Sequence, residues 1–316
     1  MAMGCAVGAG AVMGCEPTKV RHGAGARGTP PRHRMFRLCH PTNRRRGVPF
    51  SQCIRSLSFV RASLSQGGFP PMSTLKQGWR GADVRRLQEA LNRKLQPSPA
   101  LVPDGDYGPV TRAAVLRLQA AHWLCEDGEA GPCTRNVAFD NETHAPLLHP
   151  VALIPQPAPA LCWAAATAML TRATVQTVVA RTPCELMGAD GALRRRVDSD
   201  RHAQGSDDDD NRRFAAAHGL TLRPHGPWTV AALRTALHAG PLMFDLRWGA
   251  KGGAPAGQPG HMVVLAGIRG DNDPGGGGTT LRLFDPWPPG RGARSSTSHV
   301  RWMQAVAERV CGVFQR

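Results

Sequence analysis

A nine-residue segment occurs twice in this chain and limits the folds open to it. Residues 104–112 read DGDYGPVTR and residues 127–135 read DGEAGPCTR, with six of nine positions identical at a spacing of 23 residues. Each copy has an Asp-Gly turn, a second Gly, a Pro suited to the first turn of a helix, and a Thr that we expect to cap it. The repeat predicts a small domain in which two similar turns each start a helix.

Apolar periodicity on either side of the first copy predicts helices there. The residues that share the first helix face are Val84, Leu87, Leu91 and Leu95, and those of the second are Ala114, Val115, Leu118 and Ala121. Asp83 precedes the first stripe and is its expected N-cap. The segment therefore reads as a helical domain.

This pattern resembles the bacterial peptidoglycan-binding domain of the three-helix type. The matching residues are Gly78, Gly81, Asp83, Val84, Leu87, Gln88, Leu91, Asp104, Gly105, Tyr107, Gly108, Thr111, Ala114, Val115, Gln119, Asp127, Gly128, Gly131 and Thr134. The resemblance implies a domain over residues 73–140 with peptidoglycan as a partner. Most of these residues are turn formers, caps and core, which identify a fold better than a sugar-binding surface.

The net charge of +16 suggests nucleic-acid binding, but its distribution argues against that partner. Residues 1–71 hold eleven Lys and Arg against one acid, whereas residues 72–316 hold 28 bases and 22 acids. The first 71 residues lack sustained periodicity, so we expect a disordered tail, or a true start at Met72. No apolar run is long enough to span a membrane. The nine cysteines include no CxxC pair, so we expect no metal and no cofactor.

A candidate nucleophile begins an Ala-rich helix. Pro157 and Pro159 exclude a helix interior, so the helix can begin only at residues 160–162. Cys162 then lies in the first turn, where free backbone N–H groups and the helix dipole stabilise a thiolate. Gln156, six residues earlier, could donate to an oxyanion together with the backbone N–H of Cys162.

Two later strands supply a base and a group to orient it. His261 begins the apolar strand 260–268, and Asp285 ends the strand 281–287. In an antiparallel pair the start of one strand lies beside the end of the next, so the two side chains can be neighbours. The chain order is Cys, His, Asp, as a nucleophile, its base and an orienting carboxylate require.

These segments resemble the papain-like cysteine peptidases, and the bacterial secreted-effector branch in particular. The motifs are Gln156 six residues before Cys162-Trp163-Ala164, then Gly260-His261, then Asp285-Pro286-Trp287-Pro288. The resemblance implies that Cys162 is the nucleophile, His261 the general base and acid, Asp285 the orienting residue and Gln156 part of the oxyanion hole. It implies an α+β fold in which the helix bearing the nucleophile packs on an antiparallel sheet.

We therefore expect four segments: the tail 1–71, a helical domain 73–140, a linker 141–153 and a peptidase domain 154–316. The predicted function is cleavage of amide bonds in peptidoglycan stem peptides, because tethering to the wall raises the local concentration of that substrate. We expect a bacterial monomer that is secreted or acts in the cell envelope. Two alternatives stay open. One is a secreted effector peptidase that cleaves proteins, and the other is a wall-binding protein without catalysis.

Overall fold

The structure, a computed structural model, describes residues 74–193, 209–224, 226–247, 260–306 and 309–316. The predicted tail, residues 1–71, lies outside this part of the chain. Within it there are eight α-helices and seven β-strands, and none of these helices combines the length and apolarity needed to cross a bilayer. The predicted α+β class is confirmed.

The first three helices form the helical module, residues 74–140. They are α1 Ala82–Lys94, α2 Pro109–Ala121 and α3 Pro132–Ala138. Their core contains the predicted stripe residues Val84, Leu87 and Leu91 of α1, packed against Val115 and Leu118 of α2. The two predicted stripes are buried, as the periodicity predicted, except that Ala121 at the end of α2 is exposed.

The predicted helix caps are wrong. Glycines occupy the N-cap positions of all three helices, namely Gly81, Gly108 and Gly131, and none of them has a side-chain cap. In α2 and α3 a Gly-Pro pair explains the difference, since the Pro takes the first helical position and the Gly before it becomes the cap, whereas α1 begins with Ala82 after Gly81. Asp83 lies in the first turn of α1.

Each repeat instead encloses a buried glutamine. Gln88 donates to Asp104 Oδ1 at 2.8 Å and to Thr111 Oγ1 at 3.1 Å, and it accepts from the Gly105 N–H at 2.9 Å. Gln119 makes the same three contacts one repeat later, also at 2.8, 3.1 and 2.9 Å. The repeated Asp, Gly and Thr therefore serve an internal hydrogen-bond network.

The rest of the described chain is built around one antiparallel sheet. Its helices are α4 Cys162–Thr171, α5 Val175–Arg181, α6 Asp209–His218, α7 Val230–Ala239 and α8 His299–Val306. Its strands are β1 His144–Leu148, β2 Thr221–Arg223, β3 Leu242–Arg247, β4 Gly260–Gly270, β5 Thr279–Asp285, β6 Ala293–Ser298 and β7 Val310–Gln315. The strand order is β2-β7-β3-β4-β5-β6, with β1 paired to β4.

Helices cover both faces of the sheet. Met243 belongs to a core shared with α4, α5 and α6, whereas the next residue, Phe244, belongs to a core shared with α7 and α8. Because successive strand residues point to opposite faces, both faces must be apolar. This double burial explains why β4 reads as an almost continuous hydrophobic run rather than an alternating one.

Part of the segment expected to be a linker is a strand of this sheet. His144 pairs with Gly270 and Leu147 with Ile268 in an antiparallel register. Strand β1 thus follows the helical module directly and pairs with the C-terminal half of β4, while β3 pairs with the N-terminal half. The connection between the two halves of the protein is structured.

Candidate active site

Cys162 is the first residue of helix α4, as the prolines before it predicted. Its side chain is buried, and its Sγ lies 3.9 Å from the backbone oxygen of Gly260 at the start of β4. The first N–H groups of a helix have no partner within the helix and carry partial positive charge. The sulfur therefore lies where a helix N-terminus meets the first residues of a strand.

The structure brings His261 and Asp285 together. Val264 of β4 pairs with Phe284 of β5, so the start of one strand lies beside the end of the other. His261 Nε2 lies 2.7 Å from Asp285 Oδ1, and both side chains are buried. The Cys162 side chain is a further hydrogen-bond partner of His261. Since Nε2 faces Asp285, Nδ1 is the ring nitrogen available to the sulfur.

These contacts favour a charged imidazole. Burial alone would lower the pKa of His261, but the hydrogen bonds to Asp285 and Cys162, with the charges of both partners, outweigh it and raise the pKa to about 10. An imidazolium at neutral pH is the form that can stabilise a neighbouring thiolate and later supply a proton to a leaving group.

A turn after β5 holds Asp285. The backbone N–H of Trp287 donates to Asp285 Oδ1 at 2.8 Å, so that one oxygen meets both this N–H and His261. The other oxygen, Oδ2, is buried without a hydrogen-bond partner among the described residues. The orientation of the carboxylate is therefore fixed by hydrogen bonds to Oδ1, the oxygen that faces the imidazole. Sequence reasoning missed the Trp287 N–H, for which the only signal was the Asp-Pro turn.

The same turn positions Gln156. The Gln156 N–H donates to Pro286 O at 3.0 Å, and its carbonyl accepts from the Gly290 N–H at 2.9 Å. The segment before Cys162 and the segment after Asp285 therefore run side by side. Gln156 itself is fully buried.

The amide of Gln156 is engaged elsewhere than expected. Its Nε2 donates to Ala158 O and Pro159 O, both at 2.8 Å, whereas its Oε1 is buried without a hydrogen-bond partner among the described residues. In this arrangement neither amide hydrogen is free for an oxyanion. The Pro-rich segment gave a signal for it, because prolines lack N–H groups, so the carbonyls around them need donors from elsewhere.

Two regions of the chain match known protein families. A family model described as papain-like cysteine protease AvrRpt2 matches residues 145–304, and a model described as a peptidoglycan binding domain matches residues 80–137. The crystal structure of a Burkholderia AP3 phage endolysin is similar at 28% identity and a TM-score of 0.21, over 37% of this chain and 39% of that one. This chain thus spans well under half of the endolysin. No curated protein matches the chain.

Proposed function

Because this chain belongs to the papain-like cysteine protease AvrRpt2 family, and is thus a cysteine peptidase, we propose that it hydrolyses amide bonds in peptidoglycan stem peptides with Cys162, His261 and Asp285. The observation that carries the proposal is the His261 ring, which hydrogen-bonds Asp285 at 2.7 Å and also the Cys162 side chain. A nucleophile, a base and an orienting group in this order are what covalent amide hydrolysis requires.

The reaction runs through an acyl-enzyme. The Cys162 thiolate attacks the amide carbonyl while His261 carries the proton as an imidazolium. His261 gives that proton to the leaving amine when the C–N bond breaks, which leaves a thioester on the sulfur. Neutral His261 then takes a proton from water, the resulting hydroxide attacks the thioester, and the sulfur leaves as a thiolate.

Two donors stabilise the tetrahedral oxyanion in this proposal. One is the backbone N–H of Cys162 at the start of α4, which has no helical partner. The other is Gln156, whose amide must first give up a hydrogen bond to Ala158 O or Pro159 O. Substrate binding would exchange one carbonyl acceptor for the substrate oxygen, so the hydrogen-bond count of the amide stays the same.

The helical module favours the cell wall as the site of action. Its sequence matches a peptidoglycan-binding domain, and it contains a cleft of ≈ 280 Å³ between the C-terminal ends of α1 and α3. Arg93, Lys94, Phe139 and Asp140 line that cleft, and Lys94 forms an ion pair with Asp140. The exposed guanidinium of Arg93 suits a peptide that bears carboxylates, as stem peptides do. We place the protein outside the cytoplasm, in the envelope or secreted, on this basis.

The full chain, its Cys162→Ala variant and a Cys184→Ala control are incubated with purified sacculi and, separately, with casein. Cys184 is an exposed cysteine outside the site, so its loss should not affect hydrolysis. We expect new amino groups from sacculi with the wild type and the control, and a loss of at least about 10³-fold with Cys162→Ala.

Two results would contradict this proposal. Cleavage of casein with no release from sacculi would assign the enzyme to proteins instead of the wall. Equal activity of the wild type and Cys162→Ala would remove the sulfur from the mechanism.

A further inference from the structure

The end of the β4–β5 hairpin opposite the candidate active site contacts the helical module. His261 lies at the start of β4, and Arg269 lies near its other end, before the connection to β5. Residues of that end and of the connection, 269–278, form hydrogen bonds with residues 122–142. The β4–β5 hairpin thus holds His261 at one end and contacts the helical module at the other.

Arg269 joins three segments of the chain. Its Nε and Nη2 donate to the two carboxylate oxygens of Glu142 at 2.8 and 2.6 Å, and its Nη1 donates to His122 O at 2.7 Å. The guanidinium also lies 5.0 Å from the ring centroid of Trp123. Arg269 is only 5% exposed. A buried fork-to-fork pair of this kind fixes both partners in position and direction.

A second set of contacts lies in the β4–β5 connection. Asn136 of α3 donates to Asp271 Oδ2 at 2.7 Å and to Gly278 O at 3.3 Å, and the Cys133 thiol lies 3.1 Å from Gly277 O. At Gly278 a Cβ would lie 2.6 Å from Asn136 Nδ2, closer than real Cβ atoms come. The Asn136 side chain of the module therefore packs directly on the backbone of the connection at Gly278.

Strand β1 connects the helical module to the sheet beside these two sets of contacts. It begins two residues after Glu142 and pairs with β4, so the chain leaves the module directly into the sheet. Domains joined by a free linker move relative to each other by default. Here the linking segment is itself a strand, and its neighbour Glu142 is held by Arg269.

We infer that the Arg269–Glu142 clamp makes the module and the peptidase one rigid body, and that this rigidity selects which wall peptide bonds are cut. The inference rests on the proposed function, since it requires a wall-bound module. A flexible tether would let the active site reach many bonds around the bound point, whereas a rigid one delivers it at a single offset and orientation. Arg269 and Glu142 are positioning residues for the wall substrate and do not touch it.

The test uses Glu142→Gln, which keeps the shape of Glu142 and removes its charge, in the full chain. The matched control is Glu185→Gln, which breaks the ion pair of Glu185 with Arg213 on the peptidase surface. Each protein is assayed for fragments released from sacculi, by mass spectrometry, and for hydrolysis of a soluble peptide copied from a fragment that the wild type releases. Arg269→Met, which keeps an unbranched apolar side chain, is the second variant.

We expect Glu142→Gln to cleave the soluble peptide within about twofold of the wild type, to sediment with sacculi equally, and to release wall fragments at least fivefold more slowly or in a broader set. Limited proteolysis between residues 138 and 150 should be faster in this variant. Wall hydrolysis with unchanged rate and fragments in both variants overturns the inference while the proposed function stands. If the wild type itself releases nothing from sacculi, the proposed function fails first.

Discussion

At the scale of single residues, Asp285 favours the charged form of the His261 imidazole beside Cys162. Burial lowers the pKa of His261, and the hydrogen bond to Asp285 is the largest contribution that opposes this effect, followed by the hydrogen bond to Cys162 and then by the charge of Asp285. Asparagine, a neutral residue of the same shape, would still offer an oxygen that accepts a hydrogen bond from Nε2 of His261, but it would lack the negative charge. The carboxylate and the imidazole therefore act as one unit, with the Trp287 N–H holding them in place.

Asp285→Asn should lower the upper pH limit of activity. The imidazolium is lost as pH rises through the pKa of His261, which is raised to about 10 in the native protein. Without the carboxylate that pKa moves down toward its ordinary value, so the alkaline limb of kcat/KM should move toward neutral pH, with kcat at pH 7 reduced by about 10- to 100-fold. The measurement is a pH profile of peptide hydrolysis. An unchanged alkaline limb would show that Asp285 does not set the imidazole charge.

At the scale of elements, the β4–β5 hairpin depends on the glycine that ends β4, Gly270. Gly270 has φ of +109°, and a Cβ there would lie 2.1 Å from the backbone oxygen of Gly278. Both conditions exclude a side chain. By contrast, Gly277 in the same connection has open space around its missing Cβ.

Gly270→Ala should lower the free energy of unfolding by about 2 kcal/mol or more, and Gly277→Ala by less than about 0.5 kcal/mol. The first change meets backbone atoms that cannot move without opening the hairpin, whereas the second does not. Chemical denaturation of the two variants beside the wild type gives both values. Equal stability of the two alanine variants would mean that the backbone at Gly270 relaxes freely.

Local patterns predicted the elements and failed at contacts that local sequence does not encode. The start of α4 at Cys162 followed from two prolines and an alanine run, and the meeting of His261 with Asp285 followed from strand ends. The direction of the Gln156 amide depends on which way the carbonyls of a Pro-rich segment point, which no spacing rule gives. Arg269 and Glu142 are 127 residues apart and belong to no motif, so only the fold could join them.

At the scale of the whole molecule, the proposed function places wall binding in the helical module and hydrolysis in the peptidase half. A single substitution should therefore abolish either activity without the other. Arg93 lines the cleft of the helical module, far along the chain from Cys162. It is exposed, and no described residue forms an ion pair with it. Arg86 lies exposed on the same helix but does not line the cleft, so it is the matched control.

Arg93→Ala should weaken the affinity of the full chain for sacculi, measured by sedimentation, by at least about tenfold, because loss of a charge-assisted hydrogen bond weakens binding by about 1.5–3 kcal/mol. Hydrolysis of soluble peptide should not change. Arg86→Ala should leave both unchanged, and Cys162→Ala should sediment like the wild type. If Arg93→Ala and Arg86→Ala sediment equally well, the cleft is not where the wall binds.

The strand that follows Glu142 has a consequence for exchanging parts between enzymes. A boundary placed where the helices end, at residue 140, would separate Glu142 and β1 from the module whose position they fix. A chimeric enzyme that receives another module at that boundary would keep a catalytic half with Arg269 facing an unmatched surface. Recombination that preserves function must therefore transfer residues 74–148 together with a compatible β4–β5 connection. We expect the two halves to be inherited together for this reason.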